Sequence, residues 1–418
     1  MGQIVFVFYS IVVTMFFIPW MTCSAEPLLL VDQGPSDALI VGCKEDGILA
    51  FQIVDETRAV SLPDLIRWSN PQENLDHHEV VLVDGSRLVL AKSWSGKKSL
   101  QISADTITLR TVGLGDIAMP RSKLRSILLN APENNTRRTR LRDQLVANAG
   151  KNDRICLTNG DTLSGRLVEI AQSGSVIKFN LDGTSEAVSL PTDRVAGISF
   201  GSLPVSLVKG SLAIGLSDGS YLVANSLVAE AGSLSIKLAC AVQLTAGNLH
   251  EVVYLQSLST RVVYLSDLEA TDYRHEPFLD IPWQYQRDRS LSGGPLTVGQ
   301  LIYAKGLAVH AASRLTYDLS AQSRAVATPQ REKSFHRFVA QVAIDDASGG
   351  RGSVVFQVFL RQAGELQLAL TTPVIRAGNA PLPISVNLGD AEQIVLVVEY
   401  ADRGDQGDYA NWLDARLE

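Results

Sequence analysis

Residues 338–360 read FVAQVAIDDASGGRGSVVFQVFL, two alternating apolar runs about an Asp-, Ser- and Gly-rich centre. Alternation with period two marks a half-buried strand, and the central residues are turn formers, so the stretch predicts two strands joined by a loop. The same texture continues on both sides. RVVYLSDL, LIYAKGLAVHA, SRLTYDL, HRFVAQVAID, GELQLALTTP, LPISVNLG and QIVLVVEYAD follow one another between residues 261 and 403. About nine strands at intervals of about 8–12 residues, with Gly, Asp and Pro turns, predict a two-sheet sandwich of jelly-roll type. Ligand sites on such folds lie on the loops at one end or on a concave sheet face.

The chain has 418 residues, 46% hydrophobic and 19% charged, with a formal net charge of −7. That length predicts two to four domains, and the composition is that of a globular protein. The acidic balance argues against a general nucleic-acid binder, which needs a basic surface. Residues 4–22, IVFVFYSIVVTMFFIPWMT, form a nearly unbroken apolar run followed by Cys23-Ser24-Ala25. Small residues at Cys23 and Ala25 fit a signal-peptidase site, so residues 1–25 are read as a signal peptide and the mature start is expected near Glu26. The run is also long enough to cross a bilayer as an uncleaved N-terminal anchor, the only membrane association expected. Either way the chain is expected to be secreted, periplasmic or held at the cell envelope. Cys43, Cys156 and Cys240 then remain, an odd number without short spacing, and are expected as buried small hydrophobes, with one pair between repeats left open.

Upstream, the chain reads as strands cut by tight turns. VVLVDGSRLVLA (80–91), ICLTNGDTLSGRLVEI (155–170) and AIGLSDGSYLVANSLV (213–228) each place Asp-Gly or Asn-Gly between apolar runs. That dipeptide is the strongest short-range hairpin signal, because the tight turn needs positive φ. AVSLP recurs at 59–63 and 187–191, and AMPRSKLRSI (118–127) is a cousin. The pattern predicts three small, strongly bent β-barrels, each of about fifty to sixty residues, a size at which neighbours help complete a core. The first lies within a β-rich region at 26–132, the second at 151–206 and the third at 207–257. The first hairpin of each resembles that of SH3-like and Sm-like barrels. The linker 133–150 carries the clearest helical stretch, with Asn134 and Asn135 as N-cap candidates and Leu141, Leu145 and Val146 as an apolar stripe. Its Arg137, Arg138, Arg140 and Arg142 are read as a solvated face. His77-His78 beside Glu73 and Asp76 is read as a polar loop, since metal-ligand spacing is missing.

Several motifs of the C-terminal part occur together in order: YLSDLEAT at 264–271, KGLAVHAASRLTYDL at 305–319, the 338–360 stretch and GDQGDYANWLDARL at 404–417. This set resembles the NPCBM family, carbohydrate-binding modules first noted beside family 98 glycoside hydrolases and related to the family 51 modules. The resemblance covers residues 258–418. It implies a β-sandwich, a glycan ligand of galactose or related type, and often a structural Ca²⁺; with the strand-rich region upstream, the chain reads as all-β. Three departures stand out. Ala308 replaces a second Gly before Val309-His310, AQSRAVATPQREKSFHRF (321–338) is longer than the family's turn, and RQAGEL (361–366) replaces a DGK-like turn.

Sugar recognition needs an aromatic face for the ring's C–H patch and planar polar groups for its hydroxyls. The motifs offer Trp283, Tyr285 and His310 for the first task and Arg287, Asp288 and Asn411 as polar partners. His310 also reads as a core histidine and Trp412 as a packed core residue. Asp345, Asp346, Asp405 and Asp408 lie in Gly-rich loops, where they could hold Ca²⁺ or bond their own turns. Metalloprotease, hydrolase-elbow, P-loop and dinucleotide motifs are missing. The leading expectation is a non-catalytic glycan- or polysaccharide-binding protein, with the N-terminal repeats as spacers. The alternative is a structural or protein-interaction protein of the cell envelope that works through its repeats; a glycoside hydrolase stands third.

Overall fold

The computed structural model describes residues 25–418 except 45–46, 75–76, 92–99, 104, 149, 171–174, 185, 202–209, 231, 279–280, 320–334 and 403. The apolar leader, Asp76 and most of the 321–338 insertion lie outside the described residues. The chain is all-β apart from one α-helix and short 3₁₀ turns. Among the described residues no helix is long and apolar enough to cross a membrane.

Residues 26–257 fold into four units where the sequence predicted three. The first runs Glu26–Leu30, Ser36–Cys43, Leu49–Ile53, Glu56–Val60, a 3₁₀ turn at Leu62–Asp64, and Leu65–Trp68. The others, at 79–128, 153–199 and 212–257, repeat the plan, with a 3₁₀ turn before the last strand. In every unit the last strand returns to pair antiparallel with the first. The region 26–132 therefore holds two units rather than one. The AVSLP echoes mark the strand before the 3₁₀ turn, where Pro suits the turn's opening because it fixes φ and needs no donor.

Last strands also join units to each other. Trp68 and Arg67 pair with Leu255 and Gln256, while Ser126 to Leu128 pair with Ser199 to Gly197. The second and fourth units meet through their Asp-Gly turns. Asp84 Oδ1 accepts from Ser86 N–H (2.9 Å) and its Oδ2 from Cys240 N–H (3.0 Å). Asp218 does the same with Ser220 N–H (2.8 Å) and Gly113 N–H (2.9 Å). Ser86 Oγ then accepts from Val223 N–H (2.9 Å), and Ser220 Oγ from Val89 N–H (3.0 Å). The exchange is reciprocal, so each turn satisfies backbone donors buried in the other unit. Gly85 and Gly219 have φ of 88° and 89°, the left-handed region the tight turn requires. Cys43, Cys156 and Cys240 are all buried and free, so no pair bridges repeats.

The helix Asn135–Val146 starts as expected, with the Asn134 side chain accepting from Arg137 N–H (3.0 Å). Its basic residues divide, with Arg137 and Arg140 exposed as expected and Arg138 and Arg142 not. Arg138 and Arg142 are buried; Arg142 grips Glu79 through Nε (2.8 Å) and Nη2 (3.0 Å), and Arg138 donates to the His77 carbonyl (2.7 Å). Partners 61 and 63 residues upstream account for these two buried arginines, since nothing local in the sequence marks them.

The C-terminal part forms the expected sandwich. One sheet orders Gln286–Arg287, Gly306–His310, Tyr409–Leu417, Arg337–Ile344 and Leu382–Asn387, with Val263–Tyr264 also on Tyr409–Leu417. The other orders Asp272–His275, Ser313–Asp318, Gln393–Tyr400, Ser353–Gln362 and Glu365–Thr371, with Ile375–Arg376 at the end of Ser353–Gln362. All pairings are antiparallel. Trp412 is fully buried between the sheets, its ring edge-on to Phe356 at 5.0 Å, which fixes it as core.

Sandwich and units are joined by buried charge. Arg67 Nε donates to Asp414 Oδ2 at 2.8 Å, with side-chain exposures of 5% and 1%. Arg67 also donates to the Ser69 carbonyl (2.6 Å) and lies over the Tyr303 ring at 5.5 Å. Asn70 Nδ2 reaches the Ile302 carbonyl (2.7 Å), and Asp143 pairs with Arg289.

Candidate glycan-binding site

The site lies where several strands of the sandwich end together. Gly306–His310 delivers His310, and Tyr409–Leu417 begins with Tyr409 directly opposite it in register. Asp272–His275 ends at His275, and the loop after it returns as Trp283. Trp283 N–H donates to His275 Nδ1 (3.1 Å), so the His275 proton sits on Nε2 and is given to the Ala311 carbonyl (3.2 Å). The same carbonyl accepts from His310 Nδ1 at 2.8 Å, leaving His310 Nε2 as an acceptor. Burial pushes the His310 imidazole below its ordinary pKa, so it is neutral at physiological pH.

The Trp283 ring lies flat on His310, with centroids 5.1 Å apart and planes 6° apart. Tyr409 closes the cluster, 5.6 Å from Trp283 and 5.8 Å from His310. Trp283 remains half-buried while His310 is 4% exposed, so the indole caps the cluster on its solvent side. The Trp283 carbonyl is held by the Tyr273 hydroxyl (2.7 Å). Tyr400 ties the loop's start through its hydroxyl to the Glu276 carbonyl (2.8 Å), and Phe278 packs edge-on against Tyr400. Asp405 lies close enough for its charge to act on both His310 and Tyr400. Among the described residues, Trp283 Nε1, His310 Nε2 and the Tyr409 hydroxyl have no hydrogen-bond partner. A planar apolar face bordered by free donors, acceptors and a carboxylate can stack on a pyranose and bind its hydroxyls.

Of the residues expected from sequence, only Trp283, His310 and Asp405 meet here. Tyr285 packs on Tyr273 (5.0 Å) against the sandwich core. Arg287 pairs with Glu269 (2.9 Å), and Asp288 binds Lys305 Nζ (2.9 Å) and Gly306 N–H (3.0 Å), toward the far end of the His310 strand. Asn411 is fully buried and donates to Asp345 (2.6 Å). These four therefore have structural tasks, because each step along the strand changes face and moves about 3.3 Å away from the loop end. His275, Tyr409, Tyr400 and Phe278 were missed; Tyr409 lies within the quoted GDYANW motif, but its pairing with His310 follows from register alone.

The expected calcium ligands fall in two groups, Asp345 with Asp346 and Asp405 with Asp408. Asp345 accepts from Ala347 N–H (2.9 Å) and Asn411, and Asp346 from Gly299 (3.0 Å) and Gln300 N–H (2.8 Å). Asp408 Oδ1 accepts from Ser353 N–H at 2.8 Å. Among the described residues no three His, Cys, Asp or Glu side chains could together hold a metal ion. Asp345 and Asp346, taken up by backbone and amide donors, act as loop clamps, whereas Asp408 has the charges of Asp405 and Asp402 beside it. Here two loops meet without room for a side chain: a Cβ on Gly352, whose φ is +104°, would sit 2.2 Å from the Gly407 carbonyl.

Asp408 Oδ2 is buried without a partner, and burial pushes the carboxyl up to about 6. A folded-state pKa above the unfolded value of about 3.9 means that the folded protein holds this proton more tightly. Its contribution is thus present below about pH 4 and lost as pH rises to about 6. Asp408→Asn is expected to remove that dependence and to gain stability over wild type at pH 7, as thermal unfolding across pH 4–8 would register. Parallel curves for the two proteins would refute it.

The motifs lie in order on this sandwich and around this loop end, as a single carbohydrate-binding-module family would place them. Residues 261–418 match the family model of the NPCBM/NEW2 domain. A Renibacterium salmoninarum protein provisionally named an endo-alpha-N-acetylgalactosaminidase is 31% identical over 125 residues, which are 30% of this chain and 7% of that protein. The chain thus spans a small part of that curated relative. A CBM51 structure from a Clostridium perfringens GH95 protein, in complex with methyl-galactose, aligns at 22% identity over 38% of this chain and 99% of its own, with a TM-score of 0.31. Tandem CBM51 modules of the Streptococcus pneumoniae family 98 glycoside hydrolase align at 12% identity over 94% and 87% of the two chains, with a TM-score of 0.30. The NPCBM/NEW2 match begins within four residues of the last strand of the fourth unit, which ends at Ser257.

Proposed function

We propose that this chain is an exported, non-catalytic glycan-binding protein whose NPCBM/NEW2 domain holds a galactose-type residue on Trp283. The observation that carries this reading is the half-buried Trp283 ring, fixed flat on neutral His310 and edged by Tyr409 and Asp405. Stacking on the indole supplies the apolar contact, and His310 Nε2, Trp283 Nε1 and the Tyr409 hydroxyl take the sugar's hydroxyls. The four N-terminal units, which we read as SH3/Sm-like modules, act as a stiff spacer, a role supported by their paired last strands and buried seams. No calcium is assigned to the site.

A glycan array probed with the full chain, displayed multivalently to offset weak single-site affinity, tests the proposal. Selective retention of galactose-terminated glycans is expected. Uniform signals on galactose-, glucose- and uronate-terminated glycans would sink it.

A further inference from the structure

The second sheet has an outer face that the sandwich core does not use. Leu396 and Val398 of Gln393–Tyr400 are buried in the core, whereas Val397 and Glu399 point the other way. With Arg274 and Glu276 from the edge strand and its following residue, Arg314, Phe359 and Leu366, they line a groove of about 260 Å³. That lies just under the ~300 Å³ of pockets that enclose a drug-sized ligand, so it suits a ring or two of a chain that continues outside. The floor is apolar and the rims carry two guanidiniums and two carboxylates. Arg314 Nε is buried without a partner. Glu399 is raised by burial and by the charge of Glu276, which places both carboxylates in one space. The balanced charge fits a neutral, hydroxyl-rich ligand, whose hydroxyls accept from Arg and donate to Glu.

The groove reaches the same strand ends as the site described above. Arg274 lines the groove while His275, next in sequence, backs Trp283, because adjacent strand residues face opposite ways. Ala312 lines the groove, and the Ala311 carbonyl anchors both imidazoles. The loop between His275 and Trp283 carries Phe278 and Ile281, 62% and 61% exposed, a pair of large apolar side chains that the fold leaves in water.

We propose that this groove is a second subsite, taking the inner residues of a neutral glycan chain whose terminal residue sits on Trp283. This rests on the proposed sugar site, and extends its ligand from a single residue to an oligosaccharide. Calorimetric titration of the full chain with methyl β-galactoside, lactose and the galactose-terminated tetrasaccharide lacto-N-neotetraose tests it. The tetrasaccharide is expected to bind at least tenfold more tightly than the methyl galactoside. Arg314→Ala and, on the exposed edge strand, Leu366→Ser should each cut that ratio severalfold and leave methyl galactoside affinity within twofold. Equal affinities for the three ligands in the wild type, or a ratio unchanged in both variants, would overturn the subsite. Methyl galactoside binding that survives Trp283→Ala would instead overturn the terminal site alone, and binding of none of the three would overturn both.

Discussion

Arg67→Ala is expected to destabilise the protein by about 3–5 kcal/mol, the cost of removing one partner of a buried ion pair. The guanidinium is the counter-charge of Asp414, whose side chain is 1% exposed and, among the described residues, has no other cation bonded to it. Without it the carboxylate keeps its desolvation cost and loses its compensation. The loss falls at the seam between the first unit and the sandwich, so it should appear in the earliest urea transition rather than uniformly. Asp414→Asn should cost less, because Arg67 keeps the Ser69 carbonyl (2.6 Å) and the Asn70 side chain (3.1 Å) as acceptors. Asparagine also tolerates the positive φ of 49° at that position. Combining Arg67→Met with Asp414→Asn should recover most of the stability lost in Arg67→Ala, since no buried charge then remains unpaired. A change under about 1 kcal/mol in Arg67→Ala would place the pair among those screened by water.

Trp283→Ala is the second large effect, and it concerns binding. Removing the indole takes away the stacking face and exposes His310, which is otherwise 4% exposed. A loss of at least tenfold in affinity for galactose-terminated ligands is expected, about 1.4 kcal/mol. Stability should fall by only about 1 kcal/mol, because one stacked and one tilted aromatic contact are lost from a rim rather than a core. His310→Phe separates stacking support from hydrogen bonding: it keeps a ring under Trp283 but removes Nε2, so it should weaken binding without detaching the loop. Binding by Trp283→Ala equal to that of wild type would remove the basis for the site.

The sandwich was legible because its strands alternate cleanly and its turns are rich in Gly and Asp. The four-unit organisation was legible only in part. Three units open with Asp-Gly or Asn-Gly, but the first joins Glu26–Leu30 to Ser36–Cys43 through Val31-Asp32-Gln33-Gly34-Pro35, a longer connection without that signature. The AVSLP echo at 59–63 did mark this unit, yet an echo alone does not say where a fold begins. Within the site, Trp283 and His310 could be found because each lies in a motif. Their neighbours could not, since His275, His310 and Tyr409 come from three strands whose ends coincide only once register is set. Arg287 and Asp288 misled by proximity along the chain, because a strand carries adjacent residues to opposite faces. The buried Arg142 misled in the reverse sense, since charge predicts solvent unless a distant partner is known.

The reciprocal clasp between the Asp84 and Asp218 turns also imposes an order of events during synthesis. Ser86 leaves the ribosome about 134 residues before Ser220, roughly 7–27 s earlier at ~5–20 residues per second. Through that interval the second unit has Val89 N–H without its acceptor, and the last strand of the first unit has an open edge awaiting Leu255 and Gln256. Such edges are templates for pairing with other chains. The nascent protein is therefore most vulnerable to aggregation while its first half is already made, and the arrival of residues 212–257 ends that period for both early units at once.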